Sequence, residues 1–157
     1  MTKARSVKDV MNPDVMTVAD EMTTGELARY LTEREISGAP VVDNQGHLIG
    51  VVSMTDIGRH MAEPSELEST RGSEFYRDSG DEVTFESFGQ RHVEGSAATV
   101  RDVMTPVVHQ VPANATVAEA ARVMVREHIH RLVVTQGRQP VGIITSMDLL
   151  RVVAELT

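Results

Sequence analysis

The chain of 157 residues contains no cysteine and no tryptophan, and only three phenylalanines and two tyrosines. Without thiols there is no disulfide and no thiolate nucleophile, and a zinc site would have to be assembled from histidine and carboxylates alone. No apolar run is long enough to span a bilayer, and the opening MTKARSVKDVM lacks the apolar stretch that follows the basic residues of a secretory signal. Positive charge is also scarce. Fifteen Lys and Arg stand against 23 Asp and Glu, a net charge of −8, which argues against a general binder of phosphate backbones, since such proteins concentrate cations to release counterions. What is present is ordinary for a globular protein, 41% hydrophobic and 24% charged. The expectation is a cytoplasmic protein with no nucleic-acid partner and no direct membrane insertion, long enough for one domain or for two half-domains sharing a core.

The chain is written twice. VKDVMNPDVMTV from Val7 is matched by VRDVMTPVVHQV from Val100, 93 residues later, with Asp9 and Asp102, Met11 and Met104, and Pro13 and Pro106 in register. The match continues through Thr23 and Thr116, Glu26 and Glu119, and Ile36 and Ile129. By Gly50 and Gly142 the offset is 92, so one residue has been dropped in a turn, where the change is cheap. Thr23 with Glu26, and Thr116 with Glu119, have the spacing of a capping box. Each opens a helix whose apolar positions, Leu27, Tyr30 and Leu31 or Ala120, Val123 and Met124, fall on one face. APVV and LIGVVS, and then LVVT and VGIIT, read as strand pairs joined by polar turns, each followed by a helix from about Met54 or Met147. The expected fold class is α/β (α+β): two tandem β-α-β-β-α motifs, each led by a short helical turn at VKDVM or VRDVM, packed through their sheets with pseudo-two-fold symmetry. Along the chain this makes residues 6–60 the first motif, 61–97 a polar connector and 98–155 the second motif.

ISGAPVVDNQGHLIGVVSMTDI and IHRLVVTQGRQPVGIITSMDLL both resemble CBS motifs, and two in tandem resemble a CBS-domain pair, or Bateman module, of the stand-alone bacterial or archaeal type. The resemblance implies a regulatory module that binds adenosine nucleotides, AMP, ADP or ATP, in clefts between the motifs and relays occupancy by a change of conformation or of dimer. In such pairs the Asp of S/T-x-x-D takes ribose hydroxyls, and the Ser or Thr lies near ribose and phosphate. Here these are Ser53 with Asp56 and Thr145 with Asp148. A carboxylate accepts two hydroxyl hydrogens, and a helix start favours phosphate. The base would enter a cleft formed by Met16, Thr17 and Val18 with Ser37, Gly38, Ala39 and Pro40, or by His109, Gln110 and Val111 with His130, Arg131, Leu132 and Val133. His130 and Arg131 offer donors beside a phosphate where Ser37 and Gly38 offer room, so the second motif suits a phosphorylated ligand better. There the family's usual proline, kept as Pro40, is replaced by Val133. A compound with little phosphate, S-adenosylmethionine or adenosine, is the weaker expectation for the first.

Plainer readings stand beside these. Ser53 and Thr145 also read as helix N-caps, with Asp56 and Asp148 favourable in the first turn. Arg131 also reads as a surface or ion-pairing residue. Alternation in EHIHRL places His128 and His130 on one side of an extended segment, but no third metal ligand accompanies them. The connector carries Phe75, Tyr76, Phe85 and Phe88, four of the five aromatics, and is therefore expected to dock on the module or across a dimer interface. No Gly-rich phosphate loop, metal triad or nucleophile with its base is evident, so an enzyme is not expected and no cofactor is required. The partners expected are the nucleotide, a second copy through the apolar DLLRVVAEL helix, and an effector protein the sequence does not identify. A structural or interaction module with vestigial pockets is the alternative.

Overall fold

The computed structural model describes residues 5–61, 74–76, 98–106 and 109–156. The helices are α1 (Val7–Val10), α2 (Thr24–Glu33), α3 (Met54–Met61), α4 (Val100–Val103), α5 (Val117–Glu127) and α6 (Ser146–Ala154), with a 3-10 turn at Glu74–Tyr76. The strands are β1 (Val18–Ala19), β2 (Gly38–Val42), β3 (Leu48–Ser53), β4 (Gln110–Pro112), β5 (Arg131–Gln136) and β6 (Gln139–Thr145). They form two three-stranded sheets, β1-β2-β3 and β4-β5-β6. In each the first pair is parallel, with a helix as crossover, and the second pair is an antiparallel hairpin. Among the described residues no helix is long and apolar enough to cross a membrane.

The local chemistry accounts for the elements. Thr23 accepts from the Glu26 amide at 3.1 Å and Thr116 from the Glu119 amide at 3.1 Å, while each glutamate accepts back from its cap's amide. Leu27, Ala28 and Leu31 of α2 are buried against Val18, Val41, Val52 and Ile57, the core beneath the first sheet. Ala120 and Met124 are the buried residues of α5. The dropped residue lies between β2 and β3 on one side and β5 and β6 on the other. In the longer turn the Asp43 carboxylate accepts from the amides of Gln45 and His47 at 2.9 and 3.0 Å. The shorter turn spans Gln136 to Gln139 and needs the positive φ of Gly137, 63°.

The chain divides into two compact units, residues 16–108 (the central unit) and residues 1–15 with 109–157 (the split unit). Each lead-in turn therefore docks on the sheet of the other repeat. In the split unit the amides of Val7 and Lys8 donate to the carbonyls of Ala115 and Ala113 at 2.8 and 3.0 Å, and Asn12 bridges Ile143. In the central unit the amides of Val100 and Arg101 donate to the carbonyls of Met22 and Asp20 at 2.8 and 3.0 Å, and Thr105 bridges Val51. Gly142 and Gly50 make room for this: a methyl on Gly142 would lie 2.8 Å from the Asn12 oxygen, and one on Gly50 would lie 2.7 Å from the Thr105 oxygen. The division along the chain and the division in space are thus different. The exchange satisfies peptide groups that a four-residue helix cannot satisfy by itself.

Candidate functional site

In the split unit, antiparallel pairing of β5 with β6 puts Arg131 opposite Thr145, and the His130 carbonyl accepts from the Ser146 amide at 2.8 Å. Thr145 is the N-cap of α6. Its hydroxyl and amide both lie on Asp148 Oδ2, at 3.0 and 2.8 Å, and the Asp148 amide donates to the Thr145 hydroxyl at 3.3 Å. The other carboxylate oxygen accepts from Arg151 at 2.9 Å. His130, Arg131, Thr145 and Asp148 are so brought to one end of one hairpin. The Asp148 side chain is 12% exposed, so the carboxylate is oriented and partly buried; Oδ2 already accepts two hydrogen bonds, and Oδ1, which accepts from Arg151, has a second lone pair. Gln110 pairs with Val133 and is exposed, whereas Val111, Leu132 and Val133 are buried. Their side chains belong to the core, and their backbone is what they offer a ligand.

His128 does not continue the extended segment. It is the C-cap of α5 in left-handed conformation, φ 56°, with its amide on the Met124 carbonyl. The alternation expected for His128 and His130 is lost because the helix is closed by this turn. Among the described residues no group of three or more His, Asp or Glu comes together as a metal site would require.

The first motif repeats the constellation in the central unit with a different exposure. Gly38 is paired with Ser53, and the Ser53 hydroxyl and amide lie 3.1 and 2.8 Å from Asp56 Oδ2. Arg59 lies 3.4 Å from Asp56 Oδ1. Here, however, Ser53 is 3% exposed and the Asp56 side chain 1%. Gly38, Ala39, Pro40 and Val18 are buried, Ser37 and Met16 are exposed, and the Thr17 carbonyl accepts from the Tyr30 hydroxyl at 3.2 Å. Phe75 and Tyr76 of the connector dock here, at 3% and 4% exposure, in edge-to-face contact with centroids 5.2 Å apart. Phe85 and Phe88 lie outside the described residues.

Two features of the sites went unread in the sequence. Asp56 with Arg59 and Asp148 with Arg151 share an i, i+3 spacing that was there to find, since neighbours three apart on a helix meet. The ion pair of Asp20 with Arg101 was not. It spans 81 residues, the Arg101 Nε donating to Asp20 Oδ2 at 2.9 Å, and the carboxylate beside it raises the guanidinium pKa further. In the split unit the matching residues are Ala113 and Lys8, and they line an open hollow of about 520 Å³ with Ser6, Pro112 and Thr135.

Residues 7–63 and 100–155 each match the CBS domain family. An uncharacterized protein of Methanocaldococcus jannaschii, MJ1426, is 29% identical over 154 residues, covering 92% of this chain and 88% of its own. Another from that organism, MJ1404, is 25% identical over 98% of this chain, but this chain spans only 33% of its length. Among solved structures, the CBS domain pair of protein MJ0100 in complex with 5′-methylthioadenosine and S-adenosyl-L-methionine superposes with a TM-score of 0.67 at 22% identity, covering 99% of this chain and all of that one. CBSX2 in complex with AMP does so with a TM-score of 0.66 at 23% identity, covering 96% and 97%. At those identities the likeness is one of fold, and with both matched stretches lying in register with the sequence repeat, the chain belongs to the CBS-domain family as a tandem pair.

Proposed function

We propose that this chain is a regulatory module that binds an adenosine nucleotide, AMP, ADP or ATP, at its second motif. The observation that carries the reading is the Asp148 carboxylate, oriented by Thr145 at the start of α6 and 12% exposed, with Arg131 at the start of the neighbouring strand and His130 just before it. A fixed carboxylate suits a pair of ribose hydroxyls, and cationic or donating side chains beside a helix start suit phosphate. That protein MJ0100 is solved with 5′-methylthioadenosine and S-adenosyl-L-methionine, and CBSX2 with AMP, supports an adenosine ligand. Signalling then follows from unequal affinity for two conformations or assemblies.

A second copy is the proposed partner in assembly. Met147, Leu150 and Val153 of α6 are 56%, 56% and 58% exposed at successive three-residue steps, an apolar stripe suited to the same stripe on another copy. A cytoplasmic location and a separate effector protein belong to the same proposal.

Calorimetric titration of AMP, ADP, ATP and S-adenosylmethionine, with nucleotide turnover followed in the same samples, tests the reading. Saturable binding without turnover, abolished by Asp148→Ala, is expected. Absence of binding in protein freed of carried-over nucleotide would leave Thr145 and Asp148 as a helix cap and favour an interaction module with vestigial pockets. Sedimentation equilibrium of Leu150→Asp, expected to be monomeric where the wild type is dimeric, tests the assembly.

A further inference from the structure

The first motif's site already has an occupant. The ring of Phe75 lies against Gly38: a methyl on that glycine would sit 2.7 Å from the Val52 carbonyl oxygen, 3.0 Å from Cδ2 of the ring and 3.3 Å from the Cα of Ser53. Tyr76 closes on Phe75 edge-to-face at an interplanar angle of 85°, and both side chains are withdrawn from solvent. Glycine leaves room here for both the neighbouring strand's carbonyl and the ring. The matching position in the second motif is Arg131, so that strand start carries a side chain of its own where the first motif has glycine. In a chain with five aromatic residues, two are spent on one strand end, beside the Ser53 and Asp56 pair.

We infer that the Phe75–Tyr76 turn is a built-in competitor for the first motif's site, so that turn and adenosine ligand exclude one another. The inference rests on the reading of these motifs as adenosine sites. An aromatic base and a phenyl ring need the same flat face of Gly38, and two rings do not share it. The consequence is functional asymmetry: the second motif binds directly, while the first binds only in the fraction of molecules whose turn has left, and its apparent affinity falls by that fraction. The first site is thereby a threshold sensor for high ligand concentration.

The test is calorimetric titration of AMP, ATP and S-adenosylmethionine into wild type, Phe75→Ala and Phe75→Ala/Tyr76→Ala, each with and without Asp56→Ala or Asp148→Ala, with circular dichroism to check the fold. The aromatic variants are expected to gain an Asp56-dependent site at least tenfold tighter than any in wild type, with Asp148-dependent binding unchanged. Wild type binding at Asp148 and no Asp56-dependent gain in the variants would overturn the competitor and leave the nucleotide reading intact. A gain in the variants with no Asp148-dependent binding in either protein would do the reverse. Silence in all of them removes both. Should the aromatic variants not fold, chymotrypsin digestion of wild type decides: saturating ligand must speed cleavage after Phe75 or Tyr76, and unchanged or slowed cleavage there rejects the idea.

Discussion

The central and split units are built on the same frame and finished differently. In both, a lead-in turn donates two amides to the loop after the first strand, and a bridge forms beside a glycine of the third strand. In the central unit the loop carboxylate Asp20 is 5% exposed and paired with Arg101, and the ligand-type pair Ser53 and Asp56 is buried near Phe75. In the split unit Ala113 and Lys8 line a hollow, and Asp148 keeps 12% of its side chain exposed where Asp56 keeps 1%. Duplication preserved the contacts made by backbone and diverged at side chains that the frame does not need.

The largest expected effect is in the two cores. Leu31 is completely buried and Met124, its counterpart, is 5% exposed. Leu31→Ala should lower unfolding free energy by about 3–4 kcal/mol and Met124→Ala by about 2–3, because an unbranched side chain leaves a cavity that collapses more easily. Urea unfolding reads both, and equal losses would mean the cores are equally specific.

Next come the glycines under the lead-in turns. Gly142→Val would drive methyls into the Met11 sulfur and the Asn12 carbonyl, and Gly50→Val into Met104 and Thr105. Each should cost about 1–3 kcal/mol, and hydrogen exchange should show the Val7 or Val100 amide losing protection selectively. A loss spread evenly over the chain would argue that the turns are not separate docking elements.

Smaller again is Asp20→Ala, which gives the central unit the alanine of its counterpart. It should lower the thermal midpoint, and Asp20→Ala with Arg101→Lys should do little more, since the second change acts on a cation already without its partner. An undiminished midpoint in Asp20→Ala would show the pair to be as dispensable in one unit as it is in the other.

The smallest effect is on pH dependence. The amide and hydroxyl of Thr99 hold the Asp102 carboxyl below its ordinary pKa. A group depressed in the folded state adds stability above its unfolded pKa, and that contribution is lost as pH falls through the folded value. Thermal midpoints of wild type and Asp102→Asn should therefore differ most above the usual carboxylate range and converge in acid. A constant difference across that range would sever the link to Asp102 ionisation.

Much of the site was legible in the chain because it is local. Thr145 and Asp148 are three residues apart, and the capping geometry that places them is complete within one helical turn. His130 and Arg131 were set beside them by the resemblance to CBS motifs, and the hairpin register pairs Arg131 with Thr145. His128 was misjudged for an equally local reason: its left-handed turn closes α5 just where the alternation reads as an extended segment.

What the sequence by itself determined is the repeat, its capped helices and hairpins, and the family to which they belong, since these depend on residue types a few positions apart. Tertiary structure decided which lead-in turn serves which sheet, because that exchange is made by peptide hydrogen bonds common to every residue. It decided, too, that Asp20 meets Arg101 and that Phe75 lies on Gly38. Contacts over such separations are selected by the space and the partners the whole fold leaves available, and no nearby pattern announces them.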